Sequence, residues 1–180
     1  KKNNLEFIHE FENDVNRLEK ITDRFSKIGS KPKLSQTRLI PVIRNAVQYI
    51  MSRSSQQVRI SVHADDHEET MVPLNIPLFE WVVENLSKNA IDAMDGNGTL
   101  DIRVTGHPRT VFIDFEDTGK GIPKSKFKTI FKPGFTTKER GWGLGLSLSK
   151  RIIEMYHGGK IFVHHSELNQ GATIRIVLKK

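Results

Sequence analysis

Cysteine is absent from this 180-residue chain, which excludes a disulfide framework and any thiolate zinc site and agrees with a reducing compartment. There is also no run of about 18 apolar residues of the kind that crosses a membrane, and no apolar N-terminal segment resembling a signal peptide. Membrane contact is therefore expected only through regions outside this chain, and cytoplasm is the expected compartment. Internal repeats and low-complexity tracts are lacking. So are a P-loop, since no Gly-Lys-Ser/Thr follows a glycine run, and the signatures of Ser/Thr-type protein kinases. Acidic residues are outnumbered, 21 against 28 Lys and Arg, leaving a net charge of +7. The excess is spread along the chain, so no nucleic-acid partner is expected.

What is present, 37% hydrophobic and 27% charged residues, suits one globular domain with an appendage. Leu5, Ile8, Phe11, Val15, Leu18, Ile21, Phe25 and Ile28 form a helical, coiled-coil-like stripe over residues 5 to 28. The chain opens on KKNNLEF inside that helix, which is expected in a piece of something longer. Gly29, Ser30 and Pro32 end the stripe, and the surrounding GSKPKLSQT reads as a connector. The expected organisation is an appendage over 1–30, a linker over 31–37 and a main domain over 38–180. Within that domain the patterns predict a helix over 39–51, a strand over 58–64, a helix from Pro77 to Gly96 and a hairpin of 100–106 with 110–117. A short helix over KSKFKTIF, a longer one over 144–158 and two closing strands follow. The order implies an α/β fold: a two-layer α+β sandwich, its mixed sheet covered by helices on one face.

Four strings carry the chemistry. In ENLSKNAIDAM, Asn85, Asn89 and Asp92 are spaced by four and three and so share a helix face. An Asn oxygen is a hard neutral ligand able to complete a Mg2+ shell made otherwise of phosphate oxygens and water, and Asn89 is the candidate. In DTGKGIP, Asp117 ends a strand and can accept from an exocyclic amine such as adenine's, while Gly119 and Gly121 permit a close approach. FKPGFTTK contributes Thr136, Thr137 and Lys138, hydroxyls and an ammonium suited to closing over a terminal phosphate, with Gly134 giving the segment the look of a mobile lid. GWGLGL opens a helix, where free amides and the helix dipole favour phosphate oxygens. No strand precedes it and Leu146 follows three after Gly143, so it is not a dinucleotide fingerprint.

Together and in this order, the four strings resemble the ATP-binding domain of sensor histidine kinases, in the superfamily shared with gyrase, Hsp90-type chaperones and MutL. The similarity covers about residues 38 to 180 and includes Gly171-Ala172-Thr173, similar to the family's last glycine box. NLSKNAIDAM and FKPGFTTK look most like the nitrogen-regulation subgroup. The resemblance implies a Bergerat fold, ATP and Mg2+ as ligands, Asn89 on the metal, Asp117 on adenine and Lys88 on phosphate. It also implies a pocket lined by Ile122, Phe131, Leu144, Leu146 and Thr173 and built on Gly119, Gly121, Gly141, Gly143 and Gly145, with Asn85, Lys88 and Lys138 as catalytic groups. Its implied partners are a response regulator and, in the full-length kinase, a second copy.

ATPase members resemble one another in carrying a water-activating Glu four residues before the metal-binding Asn, and here that position is Asn85. An amide is no general base. Glu84 is one residue along, about 100° around the helix, so phosphoryl transfer to a protein nucleophile is favoured over hydrolysis. By the same resemblance, residues 5 to 28 look like the second helix of the family's phosphoacceptor hairpin, and the acceptor His lies outside this chain. His9 is too close to the connector to serve. His63, His67, His107, His157, His164 and His165 read as surface or structural residues, not ligands. Trp142 departs from the small residue the family places between the first two glycines of its box. A nucleotide-binding module without kinase activity and a superfamily ATPase are the alternatives.

Overall fold

A computed structural model describes residues 32–51, 57–64, 68–138 and 142–180. The helical stripe over 5–28, His9 and the start of the connector lie outside the described residues. A compact unit runs Leu34–Lys180. Its strands are β1 (Ser35–Arg38), β2 (Val58–His63), β3 (Met71–Leu74), β4 (Gly98–Gly106), β5 (Thr110–Asp117), β6 (Lys160–Glu167) and β7 (Gly171–Lys179), and its α-helices are α1 (Leu39–Met51), α2 (Ile76–Ala93) and α3 (Gly145–Arg151).

Five strands form one sheet in the order β2-β4-β5-β7-β6, with β2 parallel to β4 and the remaining neighbours antiparallel. This mixed sheet matches the expectation. Alternation then decides which side chains meet the helices. Leu100, Ile102 and Val104 of β4, Val111, Ile113, Phe115 and Asp117 of β5, and Ala172, Ile174, Ile176 and Leu178 of β7 are buried, while the residues between them are not. On that other side Arg175 donates twice to Asp114, both bonds at 2.7 Å, and sits 4.9 Å from the Phe112 ring centre. The core is completed by Phe79, Val82, Val83 and Leu86 of α2 and Ile40, Ile43 and Val47 of α1.

α2 carries the site, and its start is fixed locally. The Asn75 side chain accepts the Leu78 N–H at 3.3 Å as N-cap, and Pro77 occupies the first turn, where a missing N–H costs nothing. Its end is set by Asp95 and Gly96, both at positive φ.

Three expectations need correction. Ser35–Thr37, read as linker, belong to β1, which pairs antiparallel with β3. SQTR is polar throughout and MVPL apolar throughout, and β3 contains Pro73, so no alternation of residue type marks either strand in the sequence. KSKFKTIF forms two 3-10 turns, Lys124–Lys126 and Thr129–Phe131, because so short a helix is marginal in isolation and burial of Ile130 and Phe131 dictates its path. The long helix of 144–158 divides into α3 and a π-helical turn, Ile152–Tyr156.

His157 explains that turn. The wide turn lets the Ile152 carbonyl accept both the His157 backbone N–H, at 3.1 Å, and its Nδ1–H, at 2.9 Å. Nε2 accepts the Asn75 N–H at 3.1 Å, so the ring is neutral and ties the π-turn to the start of α2. Burial lowers its pKa, with the bond to Ile152 opposing. A base with a depressed folded pKa contributes stability that is complete above its unfolded pKa, about 6.5, and is lost as pH falls through the folded value. The melting temperature should therefore drop as pH falls below about 6.5. His157→Gln, which keeps an acceptor without a titrating group, should flatten that drop; equal pH profiles for the two proteins would rule His157 out as its source.

Candidate nucleotide site

Asp117 ends β5 on the helix side of the sheet, 8% exposed. Its Oδ1 accepts the Gly119 N–H at 2.9 Å, and the Ala172 N–H also donates to the carboxylate. Burial raises its pKa and the two backbone donors pull it back. The result is a dry carboxylate with acceptor capacity to spare, which suits an exocyclic amine.

The loop after it rests on this chain's own backbone. Gly119 lies so close to the end of α2 that a Cβ would fall 2.6 Å from the Ala93 carbonyl oxygen, and the Lys120 N–H donates to that oxygen at 2.9 Å. A Cβ on Gly121 would meet the Glu167 carbonyl oxygen at 2.1 Å. The Ile122 N–H donates to Ser166 Oγ at 2.7 Å, and Ser166 Oγ–H donates to the Gly171 carbonyl at 2.8 Å. These two glycines thus admit neighbouring chain, where the spacing suggested room for a ring.

On α2 the expected trio divides. Asn85 turns its amide to α3: Nδ2 donates to Ser149 Oγ at 2.9 Å, and Oδ1 lies where a Cβ on Gly145 would come within 2.3 Å. Asn89 Oδ1 and Asp92 Oδ2 instead converge on Lys138 Nζ, at 3.2 Å for Asn89 and as an ion pair with Asp92. Asn89 Nδ2 is buried with no partner among the described residues. Lys88 is exposed on the same helix.

The lid segment and the glycine box are joined at their bases. The Gly134 N–H donates to the Gly143 carbonyl at 3.0 Å, and a Cβ on Gly143 would fall 2.4 Å from the Gly134 carbonyl carbon. Thr136 Oγ1 accepts the Lys138 N–H at 3.1 Å, and Thr137 is exposed. The Leu144 carbonyl accepts the Leu148 N–H at 3.0 Å, opening α3, and Leu146 packs on the core. Trp142 is 65% exposed. Gly141 lies outside the described residues.

Two implied lining residues stand elsewhere. Phe131 is buried in the core, with Lys150 Nζ 5.7 Å from its ring centre. Thr173 pairs with Glu116, whereas Asp117 pairs with Ala172, so Thr173 projects from the opposite side of the sheet. A hollow of about 220 Å³ includes both Asp117 and Thr173, and a groove of about 670 Å³ bounded by Ile122, Phe127 and His164–Leu168 includes none of Asn89, Asp92 or Asp117. His157 is one of the histidines read as surface or structural, while two positioning residues, Ser149 and Ser166, escape the sequence reading. Their types are ordinary, and only the tertiary partners mark them.

Among the described residues no three His, Asp or Glu side chains cluster as a metal cage. A divalent ion here needs oxygens from a nucleotide as well, and Asn89 Oδ1, already directed at a cationic group, fits that partial role. The buried carboxylate of Asp117 fits the amine end of the same molecule.

This geometry is that of a nucleotide-binding α/β sandwich, and the chain belongs to the family of histidine kinase-, DNA gyrase B- and HSP90-like ATPases, whose sequence model matches residues 75–180. ATP is accordingly its nucleotide. The chain is 30% identical to sporulation kinase D of Bacillus subtilis (strain 168), over 93% of its own length and 33% of that protein. It is 27% identical to nitrogen regulation protein NtrY of Azorhizobium caulinodans, over 92% of its length and 22% of NtrY. It spans a third or less of these curated relatives. The nucleotide-free catalytic domain of histidine kinase ThkA superposes with a TM-score of 0.75 at 29% identity, covering 83% of this chain and 97% of that one. ThkA in complex with the response regulator protein TrrA gives a TM-score of 0.75 at 27% identity, covering 93% of this chain and 48% of that one.

Proposed function

We propose that this chain is the ATP-binding catalytic part of a two-component sensor histidine kinase, passing the γ-phosphoryl of Mg-ATP to a His outside the chain and thence to a response regulator. The observation that carries the reading is Asn85. The position where ATPase members carry a general base holds an amide committed to Ser149, so water has no activating carboxylate there. Catalysis then rests on positioning and on neutralising the transferred group. Asn89 and the nucleotide's phosphates would hold Mg2+, which supplies charge neutralisation, and Asp117 would hold adenine. Lys88 and Lys138 are the cations available to phosphate oxygens.

The ThkA complex supports a response regulator as the next acceptor. A dimer formed through a hairpin that includes residues 5 to 28 is part of the same reading, with the residues between that hairpin and β1 as the link to the catalytic domain. We read the subgroup as nitrogen-regulation-like from NLSKNAIDAM and FKPGFTTK, with the 27% identity to NtrY as support. No helix among the described residues is long and apolar enough to cross a membrane, and a cytoplasmic site of action is part of the proposal.

Labelled ATP with Mg2+ and a separately supplied acceptor hairpin test it. Label should appear on the hairpin His with the unaltered chain and not with Asn89→Ala. Steady phosphate release by the chain alone, without labelled hairpin, would instead make it an ATPase.

A further inference from the structure

We propose that Lys138 is a tethered stand-in for the metal: without nucleotide its ammonium occupies the Asn89–Asp92 oxygens, and Mg-ATP binds by displacing it. The inference rests on the function proposed above and concerns the same site. Asn89 and Asp92 are three residues apart on α2, so their side chains project together. Their oxygens converge on a single Nζ brought from 49 and 46 residues away in sequence. A hard cation seeks just such oxygens, and an ammonium and a divalent ion cannot share them at contact distance without mutual repulsion.

The anchoring of the segment allows the exchange. Its base is pinned at Gly134–Gly143, and the Lys138 N–H donates to Thr136 Oγ1 two residues back. Lys138 is 43% exposed and Asp92 41%, so water screens the pair and keeps it weak enough to yield to a divalent ion. Once displaced, the ammonium remains tethered within reach of the phosphates whose metal has replaced it. The Lys138 ammonium is thereby freed, on metal arrival, for those phosphates. Its expected effect is on the Mg2+ requirement of nucleotide binding, as distinct from a simple loss of one phosphate contact.

Two measurements decide this. The first is calorimetric titration of a non-hydrolysable ATP analogue at graded Mg2+. Lys138→Met should reach half-saturation at roughly 1.5- to 5-fold less Mg2+ than the unaltered chain, the fold-change equivalent to an exposed ion pair. An unchanged or higher Mg2+ requirement overturns the proposal. The second is thermal unfolding without nucleotide for Lys138→Met, Asp92→Asn and the double variant. Non-additive melting temperatures are expected, and additive ones overturn the contact. If the unaltered chain binds no analogue at any Mg2+ concentration, the proposed function fails and metal displacement fails with it, while the unfolding cycle still shows whether Lys138 holds Asp92.

Discussion

Asp117→Asn should weaken ATP binding by roughly 1 to 3 kcal/mol, the range for a hydrogen bond to a charged group, while leaving the nucleotide-free fold about as stable as before. Binding falls because adenine's amine loses an ionised acceptor in a dry setting. Stability behaves differently. Burial raises the Asp117 pKa, and a carboxylate with a raised folded pKa contributes stability that is full below its unfolded value, about 3.9, and lost as pH rises through the folded one. At neutral pH the charge is therefore a cost that the amide removes. Against this, an amide keeps only one acceptor oxygen for the Gly119 and Ala172 donors, a loss of about 1 kcal/mol. The two changes oppose each other, so calorimetry should show weakened affinity and urea unfolding a change within about 1 kcal/mol. Unfolding that falls in step with affinity would mean that Asp117 serves the fold and not the nucleotide.

How far this site can be read from sequence depends on how local its determinants are. Helix α2 follows from its 3.6-residue period and its Pro77 start, and Asp117 from its place at the end of an alternating strand. The parts that resist are those in which one residue's role is set by another far along the chain. Asn85 looks equivalent to Asn89 by spacing, yet Ser149, 64 residues on, turns it away from the Lys138 cluster. Thr173 looks equivalent to a pocket residue, yet register decides which side of β7 it occupies, and a step of one residue reverses the side. KSKFKTIF has helical composition, but it is too short to hold a helix against the pull of Ile130 and Phe131 into the core. Ser166 has no sequence signal at all. It matters because a single hydroxyl accepts from Ile122 and donates to Gly171, joining the loop after Asp117 to the turn between β6 and β7.

That junction sets the other large expected effect. Gly171→Ala should destabilise the fold by roughly 2 to 5 kcal/mol, the sum of a positive-φ penalty and overpacking against backbone that cannot swing aside. Gly171 has φ +103, and an added Cβ would lie 1.8 Å from the Asp117 carbonyl oxygen. Relief requires β7 to move away from β5 at the residue pair, Asp117 and Ala172, that positions the buried carboxylate. Nucleotide affinity should therefore fall along with stability, unlike the separation expected for Asp117→Asn. Gly158→Ala is the matched comparison, because Gly158 has φ +61 but nothing within 4 Å of an added Cβ. It should cost only the backbone term, about 1 to 2 kcal/mol, and leave affinity intact. If urea unfolding gives the two alanine variants equal losses, or if Gly171→Ala binds the ATP analogue normally, the close approach of Gly171 to Asp117 does not shape the site.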